Sequence, residues 1–163
     1  MPVHWLIANA YNVPFQSARL VGGPDWVRSE PYDIQAVAPA AFAPGISAKE
    51  SEARTRVMLR ALLGQRFGLV VRSETRELPV YAITLAKRGS KLKPAQIEEK
   101  DCPVSPADDG LYCHHFNGGW RTDGLHGQAV DMGDLALYAE NWMDRPVIDE
   151  TGIKGLYNIQ TEG

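Results

Sequence analysis

The feature of this sequence that most constrains its fold is a helix–strand–strand pattern that occurs three times. The first unit closes on YDIQ at residues 32–35, and the last closes on the similar YNIQ at residues 157–160. The units span about residues 1–38, 48–87 and 124–161, with an irregular insertion at 88–123. Repeated units of this kind predict one α+β domain over residues 1–163, in which helices pack on a mainly antiparallel sheet.

Apolar spacing and capping residues predict where the three helices lie. The first helix starts at Val3, and the second covers residues 48–65, with Ser47 as its N-cap. The third follows its N-cap Asp131. The apolar stripe predicted to be buried on the second helix consists of Ala53, Val57, Met58, Ala61 and Leu62. That on the third consists of Met132, Leu135, Ala136, Ala139, Trp142 and Met143. Strands are predicted at 32–37, 67–75, 77–87, 125–130, 146–148 and 156–160.

Charge and hydropathy argue against two classes of partner. The net charge is -3, and the 17 Lys and Arg residues are spread along the chain, so nucleic acid is not expected as a ligand. No segment approaches the roughly 20 apolar residues that a membrane helix needs.

The first helix has no strand before it, unlike the third, so we expect a preceding strand and an export signal outside this chain. The unpaired edge that this leaves makes a homo-oligomer plausible.

Several separated motifs resemble one family. They are LVGGPDW at 20–26, LPVY at 78–81, KLKP at 91–94 and RPVIDETGIKGLY at 145–157. These blocks resemble a domain family of unknown function that is abundant in soil acidobacteria. The last unit is also similar, more weakly, to the short N-terminal domain of secretins and TonB-dependent receptors. The resemblance implies an extracytoplasmic, envelope-associated protein, and it supplies no catalytic residues.

The two cysteines permit two interpretations. Cys102 and Cys113 can form a disulfide, which fits an exported protein. Alternatively, Cys113 could join His114, His115 and His126 in a zinc or similar divalent-metal site, because thiolate and imidazole are common zinc ligands. No spacing diagnostic of a metal site supports the second interpretation.

The segment from His114 to His126 also supports a catalytic alternative. Two histidines and a carboxylate, Asp123 or Asp131, could hold a metal ion with an open position for water. That arrangement would make a small metal-dependent hydrolase acting on activated esters or phosphoesters. The nearby acidic pairs Glu98-Glu99 and Asp108-Asp109 are interpreted as solvated loop charge.

The sequence favours a noncatalytic function over the hydrolase. No nucleophile motif or phosphate-binding glycine loop is present. Trp120 and Arg121 lie in the insertion between glycines and a polar loop, where they could contact a ligand. We therefore expect an envelope-associated interaction or sensing domain with no cofactor, which contacts a protein partner through the insertion and exposed sheet edges.

Overall fold

The computed structural model describes residues 1–38, 46–104, 112–118 and 124–161. The helices in these ranges are α1 (Val3–Ala10), α2 (Trp26–Ser29), α3 (Ala48–Phe67), a 3-10 helix (Glu99–Asp101) and α4 (Met132–Glu140). The strands are β1 (Tyr81–Ile83), β2 (Lys93–Pro94), β3 (His115–Gly118), β4 (Leu125–Val130), β5 (Val147–Asp149) and β6 (Tyr157–Gln160). The fold is α+β, as predicted. No helix within the described ranges is both long and apolar enough to cross a membrane.

The strands form two separate sheets. One is antiparallel, with strand order β2-β6-β4-β3, and the other is a parallel pair of β1 and β5. Both edge strands of the larger sheet, β2 and β3, come from the segment that the sequence predicted to be an irregular insertion. A β-bulge interrupts the pairing of β4 with β6 between Gly127 and Val130, where Ala129 takes a positive φ of 44°.

Local capping signals explain where the two longer predicted helices begin. The Ser47 side chain accepts a hydrogen bond from the Glu50 amide at the start of α3. Asp131 and Asp134 form a reciprocal capping box at the start of α4. Helix α3 ends at Phe67. Its C-cap is Gly68, whose φ of 63° is a left-handed conformation that glycine adopts without strain. The predicted N-caps of both helices are therefore confirmed.

The predicted buried face of α3 is wrong. Helix α3 buries Ala48, Ser51 and Leu63, whereas Val57 is 56% exposed. Leu63 joins a core cluster with residues of α1 and α2, and Leu59 and Phe67 pack against the same cluster. The leucines and the phenylalanine present more apolar area than the alanine-rich stripe, so burying them stabilises the fold more. The predicted inward face of α4 is also too long, since Trp142 and Met143 are largely exposed.

Of the three predicted helix–strand–strand units, the last alone has a helix followed by two strands within the described residues. Residues 32–37 and 68–80 form no strand, and the strand predicted at 77–87 reduces to β1. Phe67, predicted to open a strand, is instead the last residue of α3. Even in the last unit, β5 and β6 belong to different sheets. Residues 39–45, between the first two predicted units, lie outside the described residues.

A buried carboxylate joins the two halves of the chain. Glu140, the last residue of α4, is 1% exposed. Its Oε1 accepts hydrogen bonds from Arg19 Nε at 3.1 Å and from the Ser17 hydroxyl. Its Oε2 accepts from the Val147 amide of β5 at 3.1 Å and from the Arg19 guanidinium. The segment after α1 is therefore fixed to α4 and β5 by one side chain.

Replacing Arg19 tests how much its ion pair with Glu140 contributes to the stability of the fold. We expect Arg19→Met to lower the free energy of unfolding by about 3 kcal/mol, because Glu140 would keep a buried charge without its cation. The double variant Arg19→Met/Glu140→Met should recover part of that loss. Urea denaturation measures both, with Arg72→Met as the control for an exposed arginine. Equal stability of Arg19→Met and wild type would contradict the claim that Arg19 stabilises the buried Glu140 carboxylate.

Candidate functional site

The position of His114 results from two local constraints. It follows the half-cystine Cys113 and directly precedes β3. Its backbone has a φ of 56°, and its amide donates to the Ala129 carbonyl at the β4 bulge at 3.0 Å. Its side chain is only 5% exposed. The disulfide and the bulge together turn this imidazole inward.

Both ring nitrogens of His114 face carboxylates. Nδ1 lies 2.6 Å from Asp134 Oδ2, and Nε2 lies 3.1 Å from Glu99 Oε2. The hydrogen bond with Asp134 raises the pKa of His114, burial opposes this, and the charges of Asp134 and Glu99 add to the increase. The raised pKa extends the pH range over which the ring is an imidazolium, the form that donates from both nitrogens.

Lys49 brings a second cation to the same cluster. Its Nζ lies 2.6 Å from Asp131 Oδ2 and 3.7 Å from Glu99 Oε2. Burial alone would lower the pKa of Lys49, but the hydrogen bond and charge of Asp131 outweigh it and raise the pKa. Burial would likewise raise the pKa of Asp131, but the hydrogen bonds from Lys49 and the Asp134 amide lower it. Asp131 is thus held ionised beside the Lys49 ammonium.

The same cluster contains the one group of potential metal ligands among the described residues. One ligand atom from each of His114, Asp131 and Asp134 lies within 4.8 Å of the other two. A metal ion there would compete with the Lys49 ammonium for Asp131 and with a ring proton of His114 for a nitrogen lone pair. The arrangement therefore has the ligand types for zinc, but Lys49 and the His114 ring already contact its two aspartates.

The other histidines predicted as metal ligands lie elsewhere. His115 Nε2 lies 2.7 Å from Asn117 Oδ1 on β3, and His126 lies on β4 opposite Asn117. Neither belongs to a group of three or more potential ligands within the part of the chain that the structure describes. Asp123, Trp120 and Arg121 lie outside the described residues, so their predicted roles stay predictions.

Cys102 and Cys113 form the predicted disulfide, with 5.8 Å between their Cα atoms. Both residues are buried in a small core cluster with Ala48, Ala129 and Leu156. Cys113 is therefore committed to a structural bond, and it does not join the histidines as a thiolate ligand. The bond fixes the 3-10 helix that carries Glu99 against the strand that follows His114.

Three members of the cluster were not identified from the sequence as site residues. Glu99 was interpreted as solvated loop charge, but it contacts His114 and Lys49. Lys49 lies in the first turn of α3, more than 60 residues before His114, and no local pattern links them. Asp134 had a usable signal, because an acidic residue three positions after the N-cap Asp131 forms a capping box.

A second candidate site is a groove beside β1. The groove has a volume of about 1070 Å³, and its walls include the apolar residues Val21, Trp26, Leu69, Val71, Leu78 and Val80. Several of these side chains are exposed, including Val21 at 60% and Val80 at 41%. Exposed apolar side chains that line one concavity are typical of a binding surface.

The outer edge of β1 is open. The Tyr81 amide donates to Pro146 and the Ile83 carbonyl accepts from Glu150, so both residues point their hydrogen-bonding groups at β5. The amide and carbonyl of Ala82, between them, therefore point away from β5. No other described strand pairs with β1, and Ala82 is exposed. The edge can accept another strand.

Arg72 supplies an unpaired positive charge at the groove. Of the arginines in the lining, Arg19 pairs with Glu140 and Arg76 pairs with Glu74 at 2.5 Å. Arg72 has no ion-pair partner within the described ranges. The groove thus combines apolar walls, an open strand edge and one free cation.

Comparison with known proteins gives one match. The family described as "Protein of unknown function (DUF3738)" matches residues 4–162, which is nearly the whole chain. No curated protein and no solved structure matches. The expected resemblance to a family of unknown function is thereby confirmed. The acidobacterial origin and the similarity to the secretin and TonB domain stay predictions.

The His114 cluster should make stability depend on pH. We expect His114→Asn to be destabilising, since asparagine accepts the left-handed backbone but carries no imidazolium. The raised pKa of folded His114 means that its contribution is complete below the unfolded value of about 6.5 and is lost as pH rises through the folded pKa. The free energy difference between wild type and variant should therefore shrink as pH rises.

Urea denaturation from pH 5 to pH 9 measures this difference. Asp131 does not confuse the result, because its lowered pKa places its loss of stabilisation below that range. The variant Glu99→Gln removes one carboxylate from the cluster and should weaken the pH dependence of this free energy difference. A difference between wild type and His114→Asn that is constant with pH would contradict the imidazolium assignment.

Removing the disulfide should destabilise the cluster and the domain together. We expect Cys102→Ala/Cys113→Ala to lower the free energy of unfolding by about 2 to 3 kcal/mol, because the bond restricts the unfolded chain. Wild type in reducing agent should lose a similar amount. If denaturation curves of the reduced protein and the double variant overlay that of oxidised wild type, the bond has no stabilising role.

Proposed function

The chain belongs to the DUF3738 family, and we propose that it is a noncatalytic interaction domain that binds an extended segment of a protein partner along the edge of β1. The observation that carries this proposal is the open strand edge at Ala82 beside an apolar groove. A partner strand added there would bond its main chain to Ala82 and place alternate side chains in the groove.

The chemistry of the groove specifies the segment further. Its apolar walls favour aliphatic or aromatic side chains in the partner, and Arg72 favours a carboxylate beside them. The proposed ligand is therefore an extended apolar segment that carries one acidic residue.

The disulfide supports an extracytoplasmic location for this binding. Structural disulfides persist in oxidising compartments and are rare in the cytosol. The buried Cys102–Cys113 bond is of the structural kind, because it belongs to a core cluster. We place the domain at the cell envelope, where its partner would be another envelope protein.

A metal-dependent hydrolase is the second candidate function. The observation that favours it is the proximity of His114, Asp131 and Asp134, which would hold the ion, while a carboxylate would serve as base. The Lys49 ammonium weighs against it, because it lies 2.6 Å from Asp131 Oδ2, where a metal ion would bind. The proposal therefore includes no cofactor.

The edge of β1 can be tested with a single proline. Ala82→Pro removes the outward amide, and proline is tolerated in an edge strand whose N–H faces solvent. We expect it to weaken binding of a fluorescent peptide of alternating valine and threonine with one glutamate by about tenfold or more. Ala82→Val keeps the amide and should bind like wild type. Fluorescence anisotropy measures all three proteins.

Arg72→Glu tests the charge preference in the same assay. It should weaken binding of the glutamate peptide and strengthen binding of a matching peptide that carries lysine in place of glutamate. Should Ala82→Pro not fold, protection of the Ala82 amide from hydrogen exchange on adding peptide to wild type replaces it. Equal binding by Ala82→Pro, or no protection at Ala82, would contradict the proposal. So would a wild-type dimer that Ala82→Pro converts to monomer, because the edge would then bind a second copy.

A further inference from the structure

One face of the four-stranded sheet is polar across all four strands. Directly paired residues share a face of a sheet, and so do residues two apart on one strand. By the register of the sheet, the residues on this face are Lys93 on β2, Asn158 and Gln160 on β6, His126 and Gln128 on β4, and His115 and Asn117 on β3. The face is thus built from four carboxamides, two imidazoles and an ammonium group.

The opposite face of the same sheet packs into the core. Ile159 and Val130 belong to a buried cluster with Met132, and Phe116 packs against it. Ile159 alternates with the polar positions of β6, and Phe116 alternates with those of β3. On β4 the bulge between Gly127 and Val130 shifts the register, and Val130 pairs with Tyr157. The polar face is therefore the outward side of an amphipathic sheet. Asn158 Oδ1 accepts from the Ala129 amide and Asn117 Oδ1 lies 2.7 Å from His115 Nε2. The side chains of Lys93, Gln128 and Gln160 make no hydrogen bond within the described residues, so they are available to a ligand.

The polar face is concave and differs from the chain in charge. A groove of about 1140 Å³ runs over it, and its lining adds Lys91 to the polar side chains of the sheet. No Asp or Glu lines the groove among the described residues, although acids outnumber Lys and Arg by 20 to 17 in the whole chain. The groove is a cationic site on an acidic protein, which complements an anionic ligand.

The carboxamides distinguish among anionic ligands. Each carries donors and an acceptor on one planar group, so it can bind adjacent hydroxyls, which also donate and accept. Two rungs of such groups cross the sheet, one through Asn117, His126 and Gln160 and the other through His115 and Gln128. Within the described ranges no Trp, Tyr or Phe lines the groove, so it lacks the aromatic platforms that stack nucleobases. Leu92, Pro94 and Ile97 line it beside the polar side chains.

We propose that this groove binds an acidic oligosaccharide, that is, a chain of sugar residues bearing carboxylates. Lys91 and Lys93 would contact the carboxylates as point charges. Gln128, Gln160 and Asn117 would hydrogen-bond the ring hydroxyls across three adjacent strands. This site is independent of the β1 edge, because it lies on the other sheet.

The test is titration calorimetry with a purified oligogalacturonate. Wild type should bind it at least about tenfold more tightly than a neutral glucose oligomer of the same length. Lys93→Glu should weaken binding by about tenfold or more, and Gln160→Ala should weaken it by a smaller factor. Lys87→Glu changes an exposed lysine outside the groove and should bind like wild type. Ala82→Pro should also bind like wild type.

Three results would overturn the proposal. One is no heat of binding with oligogalacturonate. Another is equal affinity for polyglutamate, which carries carboxylates without hydroxyls. The third is an equal loss of affinity in Lys87→Glu and Lys93→Glu, which would indicate attraction by net charge. If Lys93→Glu does not fold, side-chain amide NMR shifts of Gln128 and Gln160 on titrating wild type decide between the same alternatives.

Discussion

The structure depends most on the buried carboxylate of Glu140. A charge that is 1% exposed is stable only if its oxygens are satisfied, and Arg19, Ser17 and the Val147 amide satisfy them. These partners hold the segment after α1 against the end of α4 and the start of β5. Strand β5 pairs with β1, so this interaction also fixes the outer edge of β1. The other end of α4 carries the Asp131 capping box, so the His114 cluster is fixed to the same interaction.

The His114 cluster and the β1 groove differ in how completely their interactions are satisfied. In the cluster, Lys49 and the His114 ring are each hydrogen-bonded to a carboxylate, so a new ligand would have to replace existing contacts. At the edge of β1, Ala82 points its main-chain groups outward, and apolar walls of the groove beside it are exposed. A satisfied network stabilises a fold, whereas open hydrogen-bonding groups beside apolar surface favour association. The groove is for this reason the stronger candidate for function.

Local signals were readable from the sequence and long-range contacts were not. Ser47 and Asp131 bind amides within three residues of themselves, so their capping roles follow from spacing alone. The disulfide of Cys102 and Cys113 also joins residues only 11 apart. The strands predicted at 32–37 and 67–75 failed because a strand needs a partner, and alternation does not show whether one is present. Lys49 and Glu99 reach His114 only through the tertiary fold, so neither could be assigned from the sequence.

If the domain binds a partner without catalysis, the His114 cluster should not bind zinc, and thermal unfolding with and without zinc at pH 7 tests this. A ligand that binds only the folded state raises the unfolding temperature, and the increase grows with the logarithm of its concentration divided by its dissociation constant. We expect no increase, because the Lys49 ammonium already contacts Asp131 and the His114 ring already contacts Asp134. A zinc-dependent increase that His114→Asn abolishes would contradict the account and identify the cluster as a metal centre.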